Sequence, residues 1–136
     1  MVYIQLKVNS SREEVAEFLE GLKRLLTSKA FSIETDFILI RKRKTDDERH
    51  STPYTLLDLD YSVEDVVDRL KELTLADYSE TRVDKNNLDP PLLFVFGKTI
   101  EKKTVYIKLK VRETQKKKVI CVSFHYAKEK MNYPFV

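Results

Sequence analysis

Tyr106, Lys108, Lys110 and Arg112 recur at every second position of one stretch, and Ser123 and His125 repeat that spacing a short way on. In an extended chain residues two apart point to the same side, so each set shares one face of a sheet. Lysine and arginine hold phosphodiesters, an imidazole moves protons near neutral pH, and a phenol donates to an oxygen that gains charge. These are the parts of a metal-independent ribonuclease. On this reading His125, Tyr106 and Lys108 are the catalytic candidates, and Lys110, Arg112, Lys98 and Ser123 are the RNA contacts. Alternating Lys/Arg is also what the solvated face of an antiparallel sheet carries, and tyrosine is a good strand former.

Three strands must position these groups: Leu92 to Lys98, Thr104 to Arg112 and Val119 to Ala127, joined by connections short enough for hairpins. Val105, Ile107, Leu109 and Val111 form the apolar side of the middle strand, and Ile120, Val122, Phe124 and Tyr126 that of the last. A one-residue slip would send an apolar set to the wrong face. A turn between Gln115 and Lys116 therefore pairs Val111 with Ile120, Leu109 with Val122 and Ile107 with Phe124. Tyr106 then faces His125, and Lys108 faces Ser123. A turn between Glu101 and Lys102 likewise sets Phe94 opposite Leu109, Phe96 opposite Ile107 and Gly97 opposite Tyr106. A residue without a side chain beside the tyrosine leaves room for a bound group, and a bulge there would redirect Lys98.

Upstream, Val2, Ile4, Leu6 and Val8 alternate as an opening strand. Ser10 with Glu13, or Ser11 with Glu14, forms a capping box for a helix whose apolar stripe runs through Val15, Phe18, Leu19, Leu22, Leu25 and Leu26 and ends near Ser28. Phe37 to Arg43 reads as a strand. The polar stretch from Arg41 through Pro53 has no periodicity and reads as a loop, its basic quartet Arg41–Lys44 either touching phosphate or forming a solvated strand end neutralised by Asp46, Asp47 and Glu48. Thr55 to Tyr61 leads to Ser62, which caps a second helix with Val63, Val66, Val67, Leu70 and Leu73 on one side. Asp58 and Asp60 lack the converging oxygens or His/Cys partners of a metal site, so no metal and no cofactor is expected. Cys121 reads as a small filler. The expected fold is a single α+β domain over 1–136, an antiparallel sheet with helices packed on one face.

Composition bounds the function without naming it. The chain has 136 residues, 25 Lys+Arg against 22 Asp+Glu for a net charge of +3, two glycines and one cysteine. So few glycines leave no phosphate-cradling loop, which removes P-loop nucleotide hydrolysis. One cysteine excludes an internal disulfide. The opening MVYIQLKVNSSREE has no signal-like apolar stretch and no run approaches a membrane span, so the expectation is a cytoplasmic protein without membrane partners.

The strings Val95-Phe96-Gly97-Lys98, Val105-Tyr106-Ile107-Lys108, Cys121-Val122-Ser123-Phe124-His125-Tyr126-Ala127 and Tyr133-Pro134-Phe135 occur in this order. Together with Asp58-Leu59-Asp60 and Leu73-Thr74-Leu75-Ala76-Asp77-Tyr78, they resemble the MqsR family of toxin–antitoxin mRNA interferases over roughly Thr55 to Phe135. The resemblance implies a RelE-like fold, metal-independent cleavage of mRNA and a cognate antitoxin as partner. It places the family's strand tyrosine on Tyr106 and the neighbouring basic position on Lys108. The chain departs from the pattern at Ser79-Glu80, where a basic residue is expected, and near Val95, where a glutamine is expected. The competing expectation is a non-catalytic RNA- or protein-binding module of the same fold.

Overall fold

The computed structural model describes residues 7–85, 88, 90–113 and 116–136. Its elements in chain order are β1 (Lys7–Val8), α1 (Arg12–Leu26), α2 (Ile33–Asp36), β2 (Phe37–Leu39), α3 (Thr52–Leu59), α4 (Val63–Lys71), β3 (Tyr78–Val83), β4 (Leu92–Ile100), β5 (Lys103–Arg112) and β6 (Lys118–Tyr126). The strands form a six-stranded sheet in the order β1-β3-β4-β5-β6-β2. Every pairing is antiparallel except β2 with β6, so the sheet is mixed at one edge rather than wholly antiparallel.

Local signals explain the helices. Ser11 and Glu14 form the capping box of α1, and Ser62 with Asp65 does the same for α4. Val15, Leu19, Leu22 and Leu26 of α1 join Leu56 and Leu59 of α3 and Val66, Val67 and Leu70 of α4 in one core. The sheet contributes Phe96, Ile100, Val105, Ile107, Leu109, Val119, Cys121, Phe124 and Tyr126 to it. The helices thus cover one face. α1 ends at Leu26, two residues before Ser28.

Three segments differ from the expectations. The stretch ending at Pro53 is not all loop: Ser51 caps α3 by accepting from the Tyr54 N–H, and Pro53 sits in the first helical turn, where its missing N–H costs nothing. Thr52 and Thr55 of α3 are buried because their hydroxyls accept the backbone N–H groups of Phe124 and Tyr126, at 3.1 and 3.0 Å. Tyr78–Val83 is a strand that zips β1 to β4; its charged outward residues hid it from a search for apolar alternation. β2 stops at Leu39, short of Arg43. The expected strand residues Val2, Ile4 and Leu6 and the turn residue Gln115 lie outside the described residues.

Both hairpin registers hold where they bear on the site. Phe94 pairs with Leu109, Phe96 with Ile107 and Gly97 with Tyr106; across the next seam Tyr106 pairs with His125, Ile107 with Phe124 and Lys108 with Ser123. The second register then shifts. Leu109 pairs with Cys121, not Val122, and Val111 with Val119, not Ile120, because one extra residue is accommodated as a bulge at Val122. Beyond the bulge Val119 and Cys121 face the helices, whereas Ile120 faces the other way beside Lys110. The cause lies in the edge strand: the parallel pairing of Phe37 with Val119 and Leu39 with Cys121 aligns two apolar sets on the helix side.

The β4–β5 turn places Glu101 and Lys102 at φ of 48° and 71°, a left-handed pair of the kind that favours Asn-Gly. Side chains there cost about 1 kcal/mol or more each. We predict that Glu101→Asn with Lys102→Gly stabilises the fold by roughly 1 kcal/mol, a rise of about 3–5 °C in melting temperature by calorimetry. An unchanged or lower melting temperature contradicts the turn geometry.

Candidate active site

The site is built where β5 and β6 are still in their first register. Tyr106 and His125 are directly paired, and their rings stack with centroids 5.1 Å apart and planes 13° from parallel. Both project from the face opposite the helices. The His125 Nδ1 lies 2.9 Å from the Tyr126 carbonyl oxygen, which can only accept, so Nδ1 carries the proton and Nε2 is left as the basic nitrogen. Lys108 stands on the same face, its Nζ 6.0 Å from the Tyr106 ring centroid. Ser123, opposite Lys108, completes the group.

Two concavities meet at this pair of rings. One, of about 320 Å³, is walled by Glu80 and Arg82 of β3, Tyr106, His125 and the C-terminal segment from Ala127 to Asn132. The other, of about 510 Å³, holds Lys108, Ser123, Tyr106 and His125 together with Lys42 and Lys44 from the segment after β2. Glu80 and Arg82 were not in the expected set, and Lys42 and Lys44 belong to the basic quartet for which phosphate contact was one of two readings. An alternating Glu80-x-Arg82 in a strand is a signal of a polar face; nothing in the sequence tells which strand it pairs with.

Electrostatics follow from this crowding. Burial is the largest influence on His125 and lowers its pKa, opposed by the Tyr126 carbonyl and reinforced by the ammonium groups of Lys44 and Lys108. Burial also lowers Lys108, and Arg82 and Lys44 push it the same way. The Tyr106 phenol is raised, chiefly by burial, with the Arg82 guanidinium pulling against it. Around neutral pH the imidazole is therefore a free base and the phenol keeps its proton. Cys121 is no nucleophile: burial pushes its thiol up to about 12 and it faces the core.

Two of the expected RNA contacts are placed elsewhere. Lys110 is only 2% exposed, its ammonium 2.8 Å from an Asp84 carboxylate oxygen and 3.2 Å from the Pro90 carbonyl oxygen, so it is committed to holding the segment after β3. Lys98 pairs across β4–β5 with the buried Val105, on the helix side, and reaches Glu72 just after α4 at 3.4 Å. No bulge intervenes at Gly97, so regular alternation turns Lys98 away from Tyr106. Arg112 is half-buried at the far end of β5 opposite Lys118 and lines neither concavity. The room above Gly97 is also taken. A Cβ there would lie 2.3 Å from the Tyr133 hydroxyl and 2.8 Å from the Met131 sulfur, so the glycine admits the protein's own C-terminal segment. Phe135 anchors that segment by stacking on Tyr78 at 5.3 Å.

Comparison with protein families, curated proteins and solved structures yields no match to this chain. Among the described residues no group of three or more His, Cys, Asp or Glu side chains converges as a metal site, and Asp58 is engaged by the Tyr126 hydroxyl and Lys103. No helix among them is long and apolar enough to cross a membrane.

Two outcomes follow. NMR titration of His125 should give a midpoint below 6.5, and Lys108→Met should raise it, since removing a cation eases protonation; a midpoint at or above 6.5 contradicts the buried site. In the window between 6.5 and that midpoint the unfolded chain binds the proton that the folded ring refuses, so this group's contribution to stability is lost as pH falls. Lys110→Met should destabilise the fold by about 3 kcal/mol in urea unfolding, because it removes the close ammonium from a partly buried Asp84 carboxylate, whereas Lys98→Met should cost about 1 kcal/mol or less.

Proposed function

We propose that this chain is a metal-independent endoribonuclease of the MqsR type, with a RelE-like arrangement of its mixed sheet and helices. The observation that carries the reading is the stacked Tyr106–His125 pair on the helix-free face, with a neutral imidazole, a protonated phenol and the Lys108 ammonium in one concavity. The order of sequence strings from Thr55 to Phe135 supports the family assignment. Arg82, which reaches Tyr106 and His125 from β3 in the neighbouring concavity, supplies a basic group where Ser79-Glu80 depart from the family pattern.

In this mechanism Nε2 of His125 takes the proton of a ribose 2′-hydroxyl. The 2′-oxygen attacks the adjacent phosphorus, forming the P–O2′ bond as the P–O5′ bond breaks, and the Tyr106 phenol protonates the departing 5′-oxygen. Lys108 offsets the negative charge that builds on the non-bridging oxygens. The products are a cyclic phosphate and a free 5′-hydroxyl, and solvent returns the two side chains to their starting protonation. A cognate antitoxin is the proposed protein partner, on the family resemblance alone.

Incubating the purified protein with mixed RNA in chelator should yield new 5′-hydroxyl ends. His125→Ala and Tyr106→Phe should each slow their appearance by about a hundred- to ten-thousand-fold. RNA retained without new ends would leave the binding-module reading in its place. Undiminished cleavage by the double variant would remove these two residues from the mechanism.

A further inference from the structure

Most lysines near the sheet have a carboxylate partner. Lys98 has Glu72, Lys103 has Asp58, Lys110 has Asp84, Lys116 has Asp36 and Lys128 has Asp47, at 2.8 to 3.6 Å. Among the described residues Lys42, Lys44 and Lys108 form no ion pair, yet they line one concavity of about 510 Å³ with His125, Tyr106 and Ser123. Asp84 and Glu80 act on Lys108 from a distance but are outweighed there by Arg82 and Lys44, and like charges gathered in one hollow repel, so an anion between them is favoured.

The backbone explains why these lysines arrive together. β2 follows β6 as far as the bond from the Ile40 N–H to the Cys121 carbonyl, 2.9 Å, immediately before the bulge at Val122. There the chain leaves the sheet. The segment beyond is fixed rather than loose: Lys44 Nζ donates to the His50 carbonyl at 3.1 Å, the His50 Nδ1 lies 2.6 Å from Asp47, and Asp47 also meets Lys128 at 3.4 Å. Thr52, at the start of α3, lines the same concavity. Within the basic quartet Lys42 lines this site alone, Lys44 borders both this site and a separate hollow, and Arg43 lines only that second hollow, with Glu48, Pro53 and Leu57.

We infer that Lys42 and Lys44, facing Lys108 across this concavity, form a phosphate-binding wall that holds the RNA backbone beside Tyr106 and His125. The inference deepens the endoribonuclease reading and rests on it for the identity of the ligand. Its physical content is local: two ammonium groups touch phosphate, and the two neighbouring guanidinium groups of the quartet do not. Lys44 also lowers the affinity of His125 for a proton, so an arriving phosphate that neutralises it would make the imidazole a stronger base.

The test measures fluorescence anisotropy of a fully 2′-O-methylated oligoribonucleotide, which cannot be cleaved, over a range of KCl concentrations. Each lost phosphate contact should reduce the slope of log K against log salt by about 0.7, so Lys42→Ala/Lys44→Ala should lose about 1.4. Arg41→Ala/Arg43→Ala removes the same charge and should leave the slope unchanged, and Lys42→Arg/Lys44→Arg should restore it. If loss of the Lys44–His50 bond unfolds the double variant, Lys42→Ala alone should still lose about 0.7. Equal effects of the lysine and arginine pairs, an unchanged slope in the lysine variant, or no binding by the unaltered protein overturns the wall. A reduced slope in a protein that produces no 5′-hydroxyl ends upholds the wall and overturns the endoribonuclease reading.

Discussion

The geometry of the site depends on the bulge at Val122. β6 must satisfy two neighbours at once: β5 on one side, where Phe124 and Tyr126 belong with Val105 and Ile107, and β2 on the other, where Val119 and Cys121 belong with Phe37 and Leu39. Strict alternation cannot point Val119, Cys121, Phe124 and Tyr126 the same way. One inserted residue resolves the conflict at the cost of locally disrupted pairing. The Thr52 and Thr55 hydroxyls accept the N–H groups of Phe124 and Tyr126, tying α3 to this part of β6. His125 and Ser123 then stand on the open face in register with Tyr106 and Lys108, and β2 is released at the level where its continuation can reach them.

Charge is sorted in the same way. Lys110 and Asp84 are close and shielded from water, which makes their pair expensive to break and places it among the contacts that hold the segment after β3. More exposed pairs such as Lys103 with Asp58 contribute little to stability, since solvent screens them. Lys42, Lys44 and Lys108 raise the positive potential at the rings instead. Partial burial strengthens that effect by thinning the water that would screen it, and the same burial keeps His125 neutral. The lysines committed to ion pairs and those that line the concavity beside the rings are therefore different residues.

The C-terminal segment makes the site a cavity rather than a flat sheet. Its path requires Gly97, because any side chain there would meet Tyr133 and Met131, and it is held at its end by the stack of Phe135 on Tyr78. The glycine opposite Tyr106 thus shapes the pocket indirectly, by admitting the strap that walls it.

Much of this was legible locally. Capping boxes at Ser11 and Ser62, the apolar stripes of α1 and α4, the two-residue turn at Glu101-Lys102 and the cross-strand pairing of Tyr106 with His125 follow from short-range spacing and sidedness, whereas the bulge that shifts the rest of β6 does not. Spacing along the chain did not decide which charges meet. Lys42 and Lys44 come from the segment that follows a parallel edge strand, Arg82 from a strand whose polar face concealed it, and Lys110 looked like its neighbour Lys108 until Asp84 was placed beside it. Alternation assigns a side chain to a face. Whether that face lies open, buried or under another part of the chain depends on contacts between distant segments, and those are fixed only when the whole sheet and its coverings pack together.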